Sequence, residues 1–457
     1  MQQARHGHPE DPALAIAASH VPRYTSYPPA NHFKPGAGQS LVAPFLAVIS
    51  QSESVSLYLH IPYCDRLCWF CGCHTKQTLS YSPIRAYVQT ITEELRLLRE
   101  RLPAKPRLSR VHLGGGSPSL LRPEDLGLLR AAIDETFLFA PGHEISIEID
   151  PSDVAPRTIP SLVEFGMNRA SIGVQDFDPV VQKAINREQS YDDTRKVVES
   201  LRQNGVSAIN IDVLYGLPHQ DMPRLLATTQ QVLSLAPQRI ALFGYAHVPW
   251  VKPHQRLIPE ASLPDAEARV LQARAAAEAI TAAGYRQIGI DHFALPGDGL
   301  AVAAAAGNLR RNFQGYTDDQ SEVLIGLGAS SISRFPGGYL QNQVATGRYT
   351  AQVKSGGLAF DRGFALSDDD RQRSWVIERL MCDFAFGRDA LVDTFGASAL
   401  GLWHEACVLA QGKLAGIVQI EDGRFVIAGA NPTLARHVAA QFDVYLAASA
   451  FKYSKAV

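Results

Sequence analysis

No stretch of this chain stays apolar for the roughly 20 residues a membrane-spanning helix needs, so no span is expected. An excess of one charge is also missing. Lys and Arg number 43 against 45 Asp and Glu, a net charge of −2, which argues against a broad basic face for nucleic acid or an acidic membrane. The stretch Met1 to Pro12 is polar and rich in His and Pro, without the apolar centre of a secretory signal. A cytoplasmic location follows as an expectation, where thiols stay reduced. Cysteine is scarce, six in 457 residues, and four of these fall between Cys64 and Cys73. Scarcity and clustering together exclude a disulfide framework. Cys382 and Cys407 stand alone in helical patterns and read as buried apolar residues.

The informative feature is the spacing C-x3-C-x2-C at Cys64, Cys68 and Cys71, directly after the apolar run Leu57–Pro62. Three thiolates so close can wrap a cubane iron–sulfur cluster and leave its fourth iron open for chemistry. Zinc is the competing reading, since Cys73 or His74 could complete a tetrahedral set. Against it, Cys71-Gly72-Cys73 is tight for two ligands of one ion, and no second C-x2-C pair exists.

Apolar residues make up 46% of the chain, enough for one large domain with smaller ones beside it. Strands are predicted at Ser56–Ile61, Arg110–Leu113, Glu144–Ile149, Arg169–Val174, Ala208–Leu214 and Arg239–Tyr245. Helices are predicted between them: one after the Ser82-Pro83 start signal, one from Pro123, then Thr158–Phe165, Asp192–Gln203 and Arg224–Leu235. Repeated βα units imply an α/β fold with a parallel sheet, and six units suit an open, partial (βα)6 barrel. Functional groups then belong at the C-terminal strand ends, and polar signatures do cluster there. Residues 1 to 54 read as an N-terminal arm and 55 to 364 as the partial barrel with its extension. From 365 onward the pattern becomes helical, followed by Ile417–Ile420, Asp422-Gly423 and Phe425–Ile427, a hairpin signal. That order suggests a winged-helix-like domain, although no basic stripe accompanies it.

Several residues have a bland reading beside a functional one. Gly114–Pro118 is an ordinary turn unless its backbone approaches a ligand. Glu148 is a solvent-facing acid unless it receives ribose hydroxyls at a strand end. Gln175, Arg187 and Asp212 carry little signal individually.

The motifs together resemble the radical S-adenosylmethionine superfamily and, within it, the oxygen-independent coproporphyrinogen III oxidases. The resemblance runs over nearly the whole chain, through Pro22–Pro28, His60–Cys64, Cys71–Cys73, Gly114–Pro118, Gly173–Phe177, Asn186–Gln189, Asn210–Asp212, Tyr215–Pro218, Tyr245–His247, Asp291–Phe293 and Arg311–Thr317. It implies a [4Fe–4S] cluster on Cys64, Cys68 and Cys71, with Cys73 off the cluster and S-adenosylmethionine on the open iron. It maps two adenosylmethionine molecules onto Tyr58, Phe70, Gly115, Gly116, Ser117, Glu148, Gln175, Arg187, Asp212, Ala246 and Ile332, and offers Tyr58 as catalytic. It further implies a 5′-deoxyadenosyl radical that takes hydrogen from the β-carbon of a propionate, which then loses CO2 to become vinyl. Two such events would convert coproporphyrinogen III to protoporphyrinogen IX.

A substrate with four propionates needs basic and hydrogen-bonding partners. Arg23, Tyr24, His247 and Arg310 or Arg311 are the candidates, with the arm expected over the barrel mouth. An unidentified electron donor is implied, and a monomer without nucleic acid or membrane is expected. Departures from the family pattern are Ser117 for a common Thr, Gly244 where relatives can carry Asn, and Ser374-Trp375 for a more charged pair. The rival readings are the heme chaperone branch of the superfamily and a metal-binding regulator. The chaperone branch typically lacks both the Arg23–Pro28 arm and a second cysteine like Cys73.

Overall fold

The computed structural model describes residues 19–446 together with Phe451 and Tyr453. The readings made on Met1–Pro12 lie outside the described residues. Six strands and the helices between them build the core: β1 (Ser54–Ile61), α1 (Ser82–Arg99), β2 (Arg107–Gly115), α2 (Pro123–Thr136), β3 (Leu138–Ile149), α3 (Thr158–Phe165), β4 (Arg169–Gln175), α4 (Tyr191–Gln203), β5 (Ala208–Tyr215), α5 (Met222–Ser234), β6 (Arg239–Gly244) and α6 (Ala266–Ala282). The strands pair in parallel in chain order, β1 to β6.

Period-two alternation explains this wall. Val55, Leu57, Leu59 and Ile61 of β1, Ile145, Ile147 and Ile149 of β3, and Ile209, Ile211 and Val213 of β5 are buried beneath the helices. Each such side chain contributes about 1.5–3 kcal/mol on burial. The alternate residues are polar and face the lumen: Tyr58 and His60, Glu144 and Glu148, Asn210 and Asp212. At its N-terminal end the lumen is plugged by ion pairs. Arg110 meets Glu144 at 2.8 Å and Asp318 at 3.1 Å, Arg169 meets Glu144 at 2.7 Å, and Arg239 meets Asp298 at 2.7 Å. Burial alone would raise Glu144; Arg169 and Arg110 outweigh it and hold the carboxylate below its usual range. The plug leaves the C-terminal end as the open mouth.

The sheet is wider than the six predicted strands, with thirteen among the described residues. Val323–Leu327 adds a parallel strand beside β1, and Ile332–Phe335, Gly338–Asn342 and Phe360–Ala365 continue antiparallel from it. On the other edge, His292–Ala294 runs antiparallel to β6. The arm joins this sheet, since Lys34–Pro35 pairs with Phe360–Ala365 and Tyr27 and Phe33 are buried.

Beyond Ala365 the chain turns helical, beginning with α7 (Asp368–Asp383) and ending with α8 (Pro432–Ala439). The predicted hairpin is present as Val418–Glu421 against Arg424–Ile427. Ala385–Gly387 adds a third strand that the sequence reading did not foresee. Among the described residues no helix is long and apolar enough to cross a membrane.

Candidate active site

At the mouth, a cavity of about 210 Å³ collects Cys64, Cys68, Cys71, Phe70, Gly115, Gly116, Ser117, Glu148, Gln175, Arg187 and Asp212. These residues come from the segment after β1, from the C-terminal parts of β2 through β5 and the residues just after them, and, for Arg187, from the segment before α4. Tyr58, Ala246 and Ile332 lie off this cavity.

The cysteine segment is anchored from two sides. On one side Trp69 donates its amide to Ile185 O at 2.9 Å, Asn186 Nδ2 donates to Leu67 O at 2.9 Å and Arg66 Nη1 to Glu188 O at 3.2 Å. On the other, the loop after β6 reaches over. Lys252 Nζ donates to Cys73 O at 2.9 Å, His254 Nε2 to Cys71 O at 2.8 Å and Gln255 Nε2 to Phe70 O at 2.9 Å. The Gln255 amide also donates to Ala246 O at 3.1 Å and accepts from Val248 N at 2.6 Å. The sequence reading missed these three residues, because their partners are backbone carbonyls, which leave no trace in residue type.

The glycine segment serves its own chain first. Gly116 N donates to Ile61 O and Ser117 N to Tyr63 O, both at 2.8 Å. Gly115 adopts φ +105°, and a Cβ there would collide with the His60 ring. A Cβ on Gly116 would sit 2.6 Å from Tyr63 O. These amides thus stitch β2 to the cysteine segment or to Glu148, while Gly115, Gly116 and Ser117 line the cavity. Glu148 itself accepts from Gly115 N at 2.9 Å and from His112 Nε2 at 3.1 Å. Burial opposes the Glu148 carboxylate, but His112 and the Gly115 amide hold it below the usual range. His112, unmarked in the sequence reading, also stacks on Tyr58 with ring centroids 5.8 Å apart.

Tyr58 belongs to a second chain of contacts. His60 Nε2 lies 2.9 Å from His74 O, and a carbonyl only accepts, so that nitrogen carries the hydrogen. Burial pushes His60 down to about 4, leaving the ring neutral with Nδ1 as an acceptor. Tyr58 OH therefore donates to His60 Nδ1 at 2.9 Å. Ile332 begins the strand beside Val323–Leu327, where Gly326 pairs with Tyr58.

On the far wall a bulge between β4 and β5 puts Gln175 at φ +68°, an uncommon backbone for a non-glycine residue. Arg187 is buried and donates to Asp150 Oδ2 at 2.9 Å and Gly173 O at 2.5 Å, with Cys68 Sγ at 3.6 Å. Asp212 accepts from Asn210 Nδ2 at 2.7 Å, and burial pushes it up to about 6.

The donor set fits an iron–sulfur cluster. Burial pushes the Cys64 thiol up to about 12, so a thiolate there needs a cation, which bound iron supplies. Hydrogen bonding from Cys73 favours the Cys71 thiolate and leaves Cys73 as the protonated partner. Among the described residues no group of three His, Cys, Asp or Glu converges as a single metal ion requires. A cubane asks for less convergence, since it spreads its thiolates over three irons.

The substrate candidates sit apart from the cavity. Arg23 Nη2 donates to Gly244 O at 2.8 Å and Tyr24 OH to Asp443 Oδ2 at 3.0 Å. Arg311 Nε donates to Tyr24 O at 3.3 Å, and its guanidinium lies 4.5 Å from the Tyr316 ring. Arg310 is spent on Glu322 and Glu378. His247 accepts or donates at 2.8 Å with Tyr245 OH.

Residues 58–229 match the family described as Radical SAM superfamily. An oxygen-independent coproporphyrinogen III oxidase of Paracoccus denitrificans is 47% identical, over 94% of this chain and 96% of that one. Its namesake in Bradyrhizobium diazoefficiens is 43% identical over 98% and 99%. The solved structure of coproporphyrinogen III oxidase from Escherichia coli, described as a radical SAM enzyme, superposes with a TM-score of 0.88 at 34% identity, over 94% of this chain and all of that one. The chain belongs to the family of oxygen-independent coproporphyrinogen III oxidases.

Proposed function

We propose that this chain converts coproporphyrinogen III to protoporphyrinogen IX without oxygen, by oxidative decarboxylation of two propionates. The observation that carries this is the gathering of Cys64, Cys68 and Cys71 with Glu148, Gln175, Arg187 and Asp212 around one cavity at the barrel mouth, in a chain of this family. Cys64, Cys68 and Cys71 would hold the [4Fe–4S] cluster. When bound, the reduced cluster supplies the electron that cleaves S-adenosylmethionine and opens radical chemistry.

The protein's part is placement and exclusion of water. Glu148 on β3 and Asp212 on β5 would receive ribose hydroxyls, while Arg187 neutralises Asp150 beside Cys68. Two adenosylmethionine molecules would divide between two flanks. Tyr58 and Ile332 lie toward β1 with Glu148; Phe70, Gln175, Arg187, Asp212 and Ala246 lie toward β4 to β6. Gly115, Gly116 and Ser117 stand between. Tyr58 is retained as the catalytic candidate, its hydroxyl aimed by His60. Arg23, Tyr24, His247 and Arg311 are the proposed substrate contacts. A division into an arm (1–54), a barrel (55–364) and a C-terminal domain (365–457) accords with the start of α7 at Asp368.

The test is anaerobic turnover. The cluster is reconstituted, and reductant, S-adenosylmethionine and coproporphyrinogen III are added. The expected result is 5′-deoxyadenosine together with vinyl product. An intact cluster with no vinyl product would overturn the reading.

A further inference from the structure

The motif Asp291-His292-Phe293 has no part in the site described above. His292 opens a short strand, His292–Ala294, and pairs with Ala241 of β6, which in turn pairs with Asp212 of β5. Partners in register share a face, so His292 points into the lumen at the level of Asp212, two strand spacings or about 10 Å away. When charged it favours the Asp212 carboxylate, as a lumen neighbour would. The ring is held on three sides. Asp291 Oδ1 lies 2.9 Å from Nδ1, and Phe243 and Tyr316 meet the ring edge-on with centroids 5.4 and 5.3 Å away. Gly315, at φ +122°, has no side chain to cover the ring; a Cβ there would lie 3.3 Å from Nε2. Nε2 has no hydrogen-bond partner among the described residues. A carboxylate accepts, so Nδ1 carries the hydrogen and Nε2 is the atom that gains a proton when an anion faces it. Asp291 is balanced from behind, since Arg436 on α8 donates to its Oδ2 at 3.2 Å.

His292 lines a cavity of about 120 Å³ inside the lumen, together with His112, Ser171, Asn210, Gln314 and Asp319 among others. Ser171 also lines the cysteine cavity, so the two are neighbours. The volume equals about four waters at about 30 Å³ each, too little for a tetrapyrrole and enough for one carboxylate arm. The other cationic side chains on its walls are taken. Arg110 meets Glu144 and Asp318, Arg169 meets Glu144, Arg239 meets Asp298 and His112 meets Glu148. Asp319, at the plugged end, is held by the Ser56 hydroxyl and the Ser321 amide. We infer that His292, oriented by Asp291, binds the carboxylate of the propionate that is being decarboxylated. The inference rests on the oxidase reading and adds to it a binding residue and a positioning residue. A propionate entering this cavity meets the Nε2 hydrogen in a charge-assisted hydrogen bond. Charge then alternates from Arg436 through Asp291 and His292 to the substrate. With Asp212 placed for ribose hydroxyls, the carbon to be attacked lies between the two residues, and holding the carboxylate selects which hydrogen is taken.

The test uses the reconstituted holoenzyme under anaerobic conditions, with coproporphyrin III, the fluorescent oxidised tetracarboxylate, and its tetramethyl ester as probes. His292→Ala should weaken binding of the acid about tenfold and leave binding of the ester and of S-adenosylmethionine unchanged. Added imidazole should restore part of the acid binding. Asp291→Asn should cost the acid several-fold and spare the ester, a selectivity that a merely structural role would not produce. His292→Gln fills the space without the charge; it is expected to lose acid binding likewise, and it serves where His292→Ala folds poorly. In turnover with coproporphyrinogen III, His292→Gln should raise KM and lower the vinyl product formed per 5′-deoxyadenosine. Unaltered acid binding in both His292 variants, as for a cavity that holds only water, or equal loss of acid and ester, would overturn the inference. Vinyl product from wild type with unaffected His292 variants removes the His292 role and keeps the oxidase reading. His292-dependent acid binding by a wild type that gives no vinyl product keeps the carboxylate site and removes the reading.

Discussion

Asp212 is half-buried in the lumen and is pushed up to about 6, chiefly by desolvation with Glu148 adding to it, against the hydrogen bond from Asn210. The sign follows from linkage. A carboxyl whose folded value lies above its unfolded value binds more protons when folded, so its ionisation costs stability as pH rises from about 4 to about 6, at most about 3 kcal/mol. A ligand that donates hydroxyls to the ionised carboxylate recovers part of that cost. S-adenosylmethionine should therefore bind the holoenzyme more tightly as pH rises from 5 to 7. Asp212→Asn should bind more weakly and with a flatter profile, as equilibrium dialysis across that range would report. Glu148 behaves oppositely, since His112 and the Gly115 amide keep it ionised before any ligand arrives. Two lumen acids two strands apart thus differ in charge state for reasons visible in their hydrogen bonds.

The loop after β6 decides whether the cysteine segment keeps its shape. Gln255 is fully buried and bridges Phe70 O, Ala246 O and Val248 N. Gln255→Ala would leave those backbone groups unsatisfied, at a cost of about 1–3 kcal/mol, concentrated where the cluster is held. The expected outcome is iron loss to a chelator several-fold faster than wild type, with a smaller change in global melting temperature. Equal iron retention would contradict the role of the clamp. This element also marks the limit of what sequence can show. The six core strands and their helices were readable because alternation and caps act locally: Thr158–Phe165 falls where predicted, and Pro123 opens α2. The cysteine triad was readable because thiolate spacing is itself chemical information. Lys252, His254 and Gln255 were not, because a side chain that grips a distant carbonyl looks like any polar loop residue. His112 was hidden in the same way, inside a strand read only for its apolar alternation. The flanking strands from Val323 to Ala365 escaped because short runs pairing across the sheet edge lack the βα rhythm.

Across the whole molecule, the ion-pair plug closes one end of the lumen and the arm packs near the other. Tyr24, Tyr27 and Phe33 are buried, so the arm is part of the core, and truncating it through residue 35 would remove packing as well as any cover. Tyr24 reaches Asp443 in the C-terminal region, and Arg23 reaches Gly244 at the end of β6. The arm thereby joins the C-terminal region to the barrel rim. The central claim is narrower than this architecture: three thiolates leave one iron open for S-adenosylmethionine, and Cys73 stays off the cluster. Electron paramagnetic resonance of the dithionite-reduced, reconstituted enzyme tests it most directly, in wild type and Cys73→Ser, before and after S-adenosylmethionine is added. The account predicts a reduced [4Fe–4S] signal in both proteins whose g-values shift when the ligand is added. A signal that does not respond to S-adenosylmethionine, or a cluster lost with Cys73, would contradict it.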